Sequence, residues 1–122
     1  MESDVDLNIW IGKKVSTRSF KAGETIFREG DPADELYVIQ EGRVGVQTGN
    51  RLLDTLDSKT IFGEMALVDN SPRSAAAVAI TDVKLVPVSE RQFLFLVSET
   101  PYFALNVMRL MARRLRATNQ AF

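Results

Sequence analysis

The stretch FGEMALVDNSPRSAAAVA, residues 62–79, places two charged residues in a segment that is otherwise small and mostly apolar. Glu64 follows a Phe-Gly pair, and Arg73 follows a turn-forming Asp-Asn-Ser-Pro sequence. The surrounding segments, from about residue 15 to 88, are short apolar or alternating runs separated by glycines. Short strands at such close spacing predict a mainly β fold, which could be a sandwich, a jelly roll or a barrel-like roll.

Composition limits both the domain count and the chemistry. The 122 residues suit a single domain over residues 1–122. The chain contains no cysteine and no histidine, so it has no thiolate nucleophile and lacks the commonest general base and metal ligand. For this reason we expect a non-enzymatic protein, although serine, lysine and carboxylate chemistry stays open. A net charge of -1 gives no general attraction to nucleic acid or anionic membranes. Without a spanning apolar run or a signal peptide, we expect a cytoplasmic protein with no membrane insertion.

The C-terminal third of the sequence has helical rather than strand patterning. Ser89, followed three residues later by Gln92, predicts a capping box and a helix over about residues 89–98. A Thr-Pro pair then predicts the start of a second helix over about residues 101–117. A further short helix is expected at residues 5–11. The sequence therefore predicts helices that flank the strand region.

The second C-terminal helix carries one apolar stripe with spacings of three and four residues. Its members are Leu105, Met108, Ala112 and Leu115. This stripe could cover a ligand, pack on the β-roll or pair with a second copy of the chain. The overlapping sequence RLMARRLR, residues 109–116, favours a solvated helix face over a nucleic-acid surface, because no aromatic interleaving or reading helix accompanies it.

The residue types around Glu64 and Arg73 favour an anion site beside a hydroxyl site. A short helix beginning near Glu64 would point the free amides of its first turn, around Ala66, toward an anion. Gly63 would leave room for an oxyanion, and the planar Arg73 guanidinium suits phosphate oxygens. Glu64 needs a donor instead, such as a sugar hydroxyl. A phosphorylated sugar fits both; the alternative is a surface ion pair of these two residues, worth about 0–1 kcal/mol.

These residues resemble the cyclic nucleotide-binding domain family of catabolite-activator-type regulators, kinase regulatory subunits and gated channels. The family's phosphate-binding cassette is matched by Phe-Gly-Glu-Met-Ala-Leu at residues 62–67 and by Arg-Ser-Ala at residues 73–75. The segment FKAGETIFREGDPADELYVIQEGRVGV, residues 20–46, is similar to the early strands of the family. The resemblance covers about residues 12–117. It implies a mainly β fold with flanking helices, an antiparallel, jelly-roll-like β-roll with a short phosphate-cassette helix and two C-terminal helices.

The resemblance implies a regulatory module that binds a 3′,5′-cyclic nucleotide and moves its C-terminal helix in response. We expect cAMP to be favoured over cGMP; a hydroxyl such as that of Ser74 can favour guanine, yet cAMP-binding members also carry serine there. By position, Arg73 and the amides around Ala66 bind the cyclic phosphate, and Glu64 binds the ribose 2′-hydroxyl. Two apolar strand residues, Val46 and Leu53, are candidates for the wall against the base. The full predicted set is Gly63, Glu64, Met65, Ala66, Arg73, Ser74, Val46 and Leu53.

The resemblance leaves the downstream effector open. We expect a protein partner or a homodimer through the C-terminal helix and no direct DNA binding, because no helix-turn-helix, kinase, channel or cyclase sequence accompanies the match. No cofactor or metal is expected beside the nucleotide ligand. An alternative is the same fold with an unused pocket, acting as an interaction or dimerisation domain. The presence of both Glu64 and Arg73 favours ligand binding over this alternative.

Overall fold

The computed structural model describes residues 16–65, 67 and 71–120, with side chains as far as residue 116. The helix expected at residues 5–11 lies outside this range. Within the described residues, eight strands precede two helices. The strands are β1 (Arg18–Phe20), β2 (Thr25–Phe27), β3 (Glu35–Glu41), β4 (Val44–Thr48), β5 (Arg51–Leu56), β6 (Ile61–Phe62), β7 (Ala76–Ala79) and β8 (Val83–Ser89). The helices are α1 (Glu90–Glu99) and α2 (Pro101–Gln120).

The strands form two antiparallel sheets of four strands each among the described residues. The first has the order β1-β8-β3-β6, and the second has the order β2-β7-β4-β5. One buried cluster joins them, with Tyr37, Ile39 and Leu85 from the first sheet and Val44 and Ala77 from the second. Because strands that follow one another in the chain mostly pair with distant ones, the sheets wrap into a roll. The predicted antiparallel β-roll with C-terminal helices is confirmed.

Strand β3 separates two parts of the hydrophobic core. Its side chains alternate across the sheet, as side chains in a strand must. Leu36 and Val38 join a cluster with the helices, whereas Tyr37 and Ile39 join the cluster between the sheets. Both faces of this strand are therefore buried, which explains why its sequence reads as an almost continuous apolar run.

The start of α1 is fixed by side chains that satisfy its free backbone groups. The Ser89 hydroxyl accepts a hydrogen bond from the Gln92 amide at 3.2 Å, and the Gln92 side chain accepts one from the Ser89 amide at 2.9 Å. The predicted capping box is present. Helix α2 begins at Pro101, directly after the C-cap of α1. No helix in the described part of the chain is long and apolar enough to cross a membrane.

Helix α2 packs on the roll through a different face from the predicted stripe. Its buried residues are Phe103, Val107 and Leu110, which share a cluster with β3, β8 and α1. In the predicted stripe, Met108 and Leu115 are 59% and 62% exposed. Of the three arrangements considered for the stripe, packing on the β-roll is therefore wrong. The helix has one apolar face against the roll and another at the surface.

Candidate functional site

A cavity of about 420 Å³ contains most of the predicted site residues. The members of the predicted set that line it are Val46, Gly63, Glu64, Met65, Arg73 and Ser74. Leu53 is not among the described lining residues, and its side chain is 51% exposed. Its neighbours Asp54 and Leu56 line the cavity instead. Ala66, whose amide was predicted to contact the phosphate, lies outside the described residues.

The chain turns sharply at Gly63, where β6 ends. This glycine has a φ of +76°, a left-handed conformation that side chains with a Cβ rarely adopt. A Cβ at this position would lie 2.7 Å from Nη1 of Arg73. The glycine therefore makes room for the guanidinium, whereas the sequence suggested only that it makes room for a ligand. After it, Met65 and Leu67 are helical, and the Leu67 amide donates to the Glu64 carbonyl at 3.1 Å.

Arg73 is buried, with 7% of its surface exposed. Its Nη2 donates to the Glu35 carbonyl at 2.8 Å, and its Nη1 donates to the Gly63 carbonyl at 3.2 Å. Its Cζ lies 4.1 Å from the centre of the Phe27 ring and 5.7 Å from that of Tyr37. The guanidinium is thus held at its edge by two backbone carbonyls and over its face by aromatic rings.

No carboxylate in the described part of the chain pairs with Arg73. The Nε atom is buried, and it has no hydrogen-bond partner among the described residues. A buried charge with only neutral partners and a buried donor without an acceptor both cost free energy. An anion in the cavity would supply the missing charge and an acceptor. The donor set around Arg73 therefore fits a phosphate.

Glu64 is the second buried charge of the cavity, with 8% of its surface exposed. Its Oε1 accepts a hydrogen bond from Nη1 of Arg114 on α2, and Nη2 of Arg114 donates to the Ile61 carbonyl at 2.6 Å. The alternative of a surface ion pair between Glu64 and Arg73 is therefore wrong, since both residues are buried and the carboxylate has another partner. A solvated face is likewise the wrong prediction for Arg114, which also lines the cavity.

A hydrogen-bonded group lies behind Arg73, on the first sheet. Nη1 of Arg18 donates to the Glu35 carboxylate at 2.6 Å and to the Tyr37 hydroxyl at 3.1 Å. The Tyr37 hydroxyl donates to the same carboxylate at 3.0 Å. Burial raises the pKa of Tyr37, and the hydrogen bond to Glu35 raises it further. The phenol therefore keeps its proton and its hydroxyl orientation, which fixes the ring that lies beside the guanidinium.

Sequence reasoning missed several residues of the cavity. The cavity-lining residues outside the predicted set include Phe27, Ala33, Asp54, Leu56 and Arg114. Arg114 belongs to the arginine-rich stretch, so its charge was a signal, but helical spacing alone did not indicate its partner 50 residues earlier in the chain. Phe27 lies in the segment that resembles the family, but nothing in its sequence pattern indicates that its ring lines the cavity.

The structure is thus a roll of two sheets with a cavity that is lined by one buried cation, Arg73, and one buried anion, Glu64. The sequence pattern described as the cyclic nucleotide-binding domain matches residues 17–100. The chain belongs to the cyclic nucleotide-binding domain family. The resemblance seen in the cassette is thereby confirmed.

Relatives of known description show the same similarity over most of the chain. The CRP-like cAMP-activated global transcriptional regulator of Mycobacterium tuberculosis is 33% identical over 114 residues, covering 88% of this chain and 50% of the relative. The crystal structure of the catabolite activator protein of Thermus thermophilus matches with a TM-score of 0.79 and 31% identity, over 93% of this chain and 60% of that one. The chain spans about half the length of the Mycobacterium tuberculosis regulator and of the cyclic AMP receptor protein of Thermus thermophilus, and less of the channel and kinase relatives.

A third relative has been solved with two different nucleotides. An EAL enzyme in a cAMP-bound form matches with a TM-score of 0.63 and 37% identity, over 87% of this chain and 29% of that one. Its cGMP-bound form matches with a TM-score of 0.64 and 37% identity, over 87% of this chain and 30% of that one. Similarity to this relative therefore does not distinguish the two bases.

Proposed function

We propose that this chain is a regulatory module that binds a 3′,5′-cyclic nucleotide, with cAMP favoured over cGMP, and that it is not itself an enzyme. The observation that carries the proposal is the buried Arg73, which has no carboxylate partner in the described part of the chain and shares a cavity with the buried Glu64. One residue offers donors to an anion, and the other offers an acceptor. A cyclic nucleotide presents the matching groups at a fixed separation, because its ribose and phosphate form fused rings.

The proposed contacts follow from this placement. Arg73 and the amides around Ala66 bind the cyclic phosphate, and Ser74 lies beside it. Glu64 accepts from the ribose 2′-hydroxyl through Oε2, because Arg114 already occupies Oε1. The chain turns around the ribose at Gly63 and Met65. Among the two base-wall candidates, Val46 keeps this role, whereas Asp54 and Leu56 replace Leu53 at the cavity wall.

The preference for cAMP is supported by the names of the relatives, such as the cAMP-activated regulator. The cavity lining is compatible with either base, so the preference has to be measured. Asp54 lines it, and a carboxylate can accept from the exocyclic amine of adenine or from two adjacent donors of guanine. Titration calorimetry with cAMP and cGMP tests the preference directly. Tighter binding of cGMP would overturn it.

Binding itself is tested by thermal unfolding with and without nucleotide. A ligand that binds only the folded state raises the free energy of unfolding, by about 2.7 kcal/mol at a hundredfold excess over Kd, and so raises the melting temperature. We expect cAMP to produce this shift and 5′-AMP, which lacks the ring phosphate, to produce a smaller one. The control variant Arg43→Ala should show the same shift as the parent, because this exposed arginine pairs with Asp57 outside the cavity. No shift with either cyclic nucleotide would favour the alternative, a domain of this fold with an unused pocket that mediates interaction or dimerisation.

We propose that the signal leaves the site through helix α2. The carrying contact is Arg114, which joins the Glu64 carboxylate and the Ile61 carbonyl to this helix. A ligand shifts an equilibrium only if it interacts differently with the two states. A ribose hydroxyl that donates to Glu64 shares this carboxylate with Arg114 and alters their hydrogen bond, so nucleotide binding and helix position become linked.

Hydrogen exchange measures this link. We expect the amides of residues 105–117 to gain protection at saturating cAMP. In Arg114→Met the gain should shrink, whereas in Arg109→Met it should persist, because Arg109 bonds to Tyr102 on the same helix. Unchanged exchange in the parent would discard this route of signalling and leave the binding proposal standing.

The exposed stripe of α2 is the proposed surface for the next partner. Leu105, Met108, Ala112 and Leu115 follow the three-four spacing of a helix-pairing seam, so a second copy of the chain can match it symmetrically. Sedimentation equilibrium tests this: Met108→Glu should weaken self-association, and Leu94→Glu, an equally exposed position on α1, should not. A monomeric parent would point to a different protein partner. We propose a cytoplasmic location and no direct contact of this domain with DNA.

A further inference from the structure

We propose that Phe27 is a positioning residue of the anion site, and that the face of its ring holds the Arg73 guanidinium in the orientation that receives the phosphate. Phe27 ends β2 and lines the cavity. The Cζ atom of Arg73 lies 4.1 Å from the ring centroid, well inside the about 6 Å range of a cation–π contact. The ligand part of this inference rests on the proposed function, whereas the positioning of the guanidinium does not.

The backbone places the two residues opposite each other before their side chains meet. The Arg73 amide donates to the Asp31 carbonyl at 2.9 Å, and the Arg73 carbonyl accepts from the Gly30 amide at 2.8 Å. The Asp31 carboxylate in turn accepts from the Arg28 amide at 2.9 Å, which braces the turn that follows Phe27. Because this turn starts directly after β2, the ring and the origin of the arginine side chain have a fixed separation.

The side chain of Arg73 then needs support that its edge contacts do not give. The carbonyls of Glu35 and Gly63 accept from Nη2 and Nη1 and orient the guanidinium at its edge. They carry partial charges only, and no carboxylate in the described part of the chain compensates the cation. An aromatic face carries a negative quadrupole, which attracts a desolvated cation without neutralising it. A carboxylate in the same place would neutralise the positive charge to which the ligand binds.

The ring of Phe27 is itself held by neighbours. Its centroid lies 6.2 Å from that of Tyr37, at an interplanar angle of 27°, and 5.9 Å from that of Phe62. The Tyr37 and Phe62 rings stack at 5.3 Å. Tyr37 also lies 5.7 Å from the guanidinium carbon of Arg73. Phe27 is therefore the nearest face of a packed aromatic group, and it cannot turn away without disturbing the other two rings.

A simple core role for Phe27 makes a different prediction. A side chain that only fills space affects the free energy of unfolding, but it leaves the nucleotide affinity of the folded protein unchanged. Phe20 provides the matched control, since it packs against the same buried cluster as Phe27 and does not line the cavity. Comparing Phe27→Leu with Phe20→Leu therefore separates loss of the ring face from loss of packing.

Titration calorimetry with cAMP tests the role in binding. Phe27→Leu should lower the affinity about 3- to 30-fold, the range of a cation–π contact, and Phe20→Leu should lower it less than twofold. Phe27→Tyr keeps the ring face and should bind within threefold of the parent. In an Arg73→Gln background, Phe27→Leu should have almost no further effect, because the cation is gone. Parent-like affinity in Phe27→Leu, or an undiminished loss in the Arg73→Gln background, would overturn the proposal.

A measurement without nucleotide tests the positioning by itself. The buried Arg73 Nε–H should give a nuclear magnetic resonance signal that exchanges slowly with water and is shifted upfield by the ring, and that is identified by its loss in Arg73→Gln. Phe27→Leu should move this signal to the ordinary arginine position, and Phe20→Leu should not. An unmoved signal in Phe27→Leu would refute the positioning role. If the parent binds no cyclic nucleotide, the proposed function fails, and this signal still decides the role of Phe27.

Discussion

Arg73 and Glu64, the two buried charged residues that line the cavity, are held in opposite ways. Arg73 bonds to backbone carbonyls and lies over aromatic rings, with no carboxylate partner in the described range. Glu64 has a charged partner, Arg114, which belongs to α2. The arginine end therefore keeps a positive charge for a ligand, while the carboxylate end is neutralised and connected to a helix. We propose that the Arg73 end binds the anion, and that the Glu64 end binds the ribose hydroxyl and links the site to α2.

The largest expected effect comes from removing the cation. Arg73→Ala should lower cAMP affinity about 10- to 150-fold, equivalent to about 1.5 to 3 kcal/mol for a hydrogen bond to a charged group. Arg73→Lys should recover part of this loss, because lysine keeps the charge but cannot bond to two carbonyls and stack at once. Titration calorimetry measures both. If Arg73→Ala bound cAMP as tightly as Arg43→Ala, the assignment of the phosphate to this end would fail.

A smaller effect is expected at the carboxylate. A 2′-deoxy cyclic nucleotide lacks the hydroxyl assigned to Glu64, so the parent should bind it on the order of tenfold more weakly than cAMP. Glu64→Ala should reduce this preference, since both changes remove the same contact and cannot be additive. Competition binding with the two ligands gives the ratio in each protein. The same ratio in parent and variant would break the pairing of Glu64 with the ribose.

The smallest effect concerns the aromatic support of the arginine end. Burial raises the pKa of Tyr37 above its ordinary value of 10.0, so the folded state holds the phenolic proton more tightly than the unfolded state. The free energy of unfolding should therefore be unaffected by this group below about pH 10 and should fall as the pH rises further. Urea unfolding between pH 8 and 11 measures the fall, which should be smaller in Tyr37→Phe. Identical curves for the two proteins would show that Tyr37 does not contribute it.

The fold and the cassette could be predicted because their signals are local. Short strands, turn residues and the capping box are determined by neighbours in the sequence, and the cassette residues Gly63, Glu64 and Arg73 all line one cavity. Leu53 is not among the described residues that line the cavity, and its place in β5 could not be read from the sequence. Val46 pairs with Asp54 and Gln47 with Leu52, so Leu53 is the extra residue of a bulge and has no partner on β4.

Helix α2 shows a second limit of prediction from sequence. Two sets of apolar residues on this helix have spacings of three and four: the buried Phe103, Val107 and Leu110, and the exposed stripe that includes Met108 and Leu115. Periodicity identifies an apolar face, but it does not decide which of two faces packs on the roll. The partner of Arg114 was hidden for the same reason, because it depends on how the helix is rotated against the cassette.

The sequence distances within the cavity have a kinetic consequence. Arg73 bonds to the Glu35 carbonyl across 38 residues, and Arg114 bonds to Glu64 across 50. Contacts this far apart close large loops and tend to form late in folding. A nucleotide should then slow unfolding and leave the refolding rate almost unchanged, since the transition state has not yet built the site. Stopped-flow experiments with and without cAMP measure both rates, and faster refolding with cAMP would show that the site forms early.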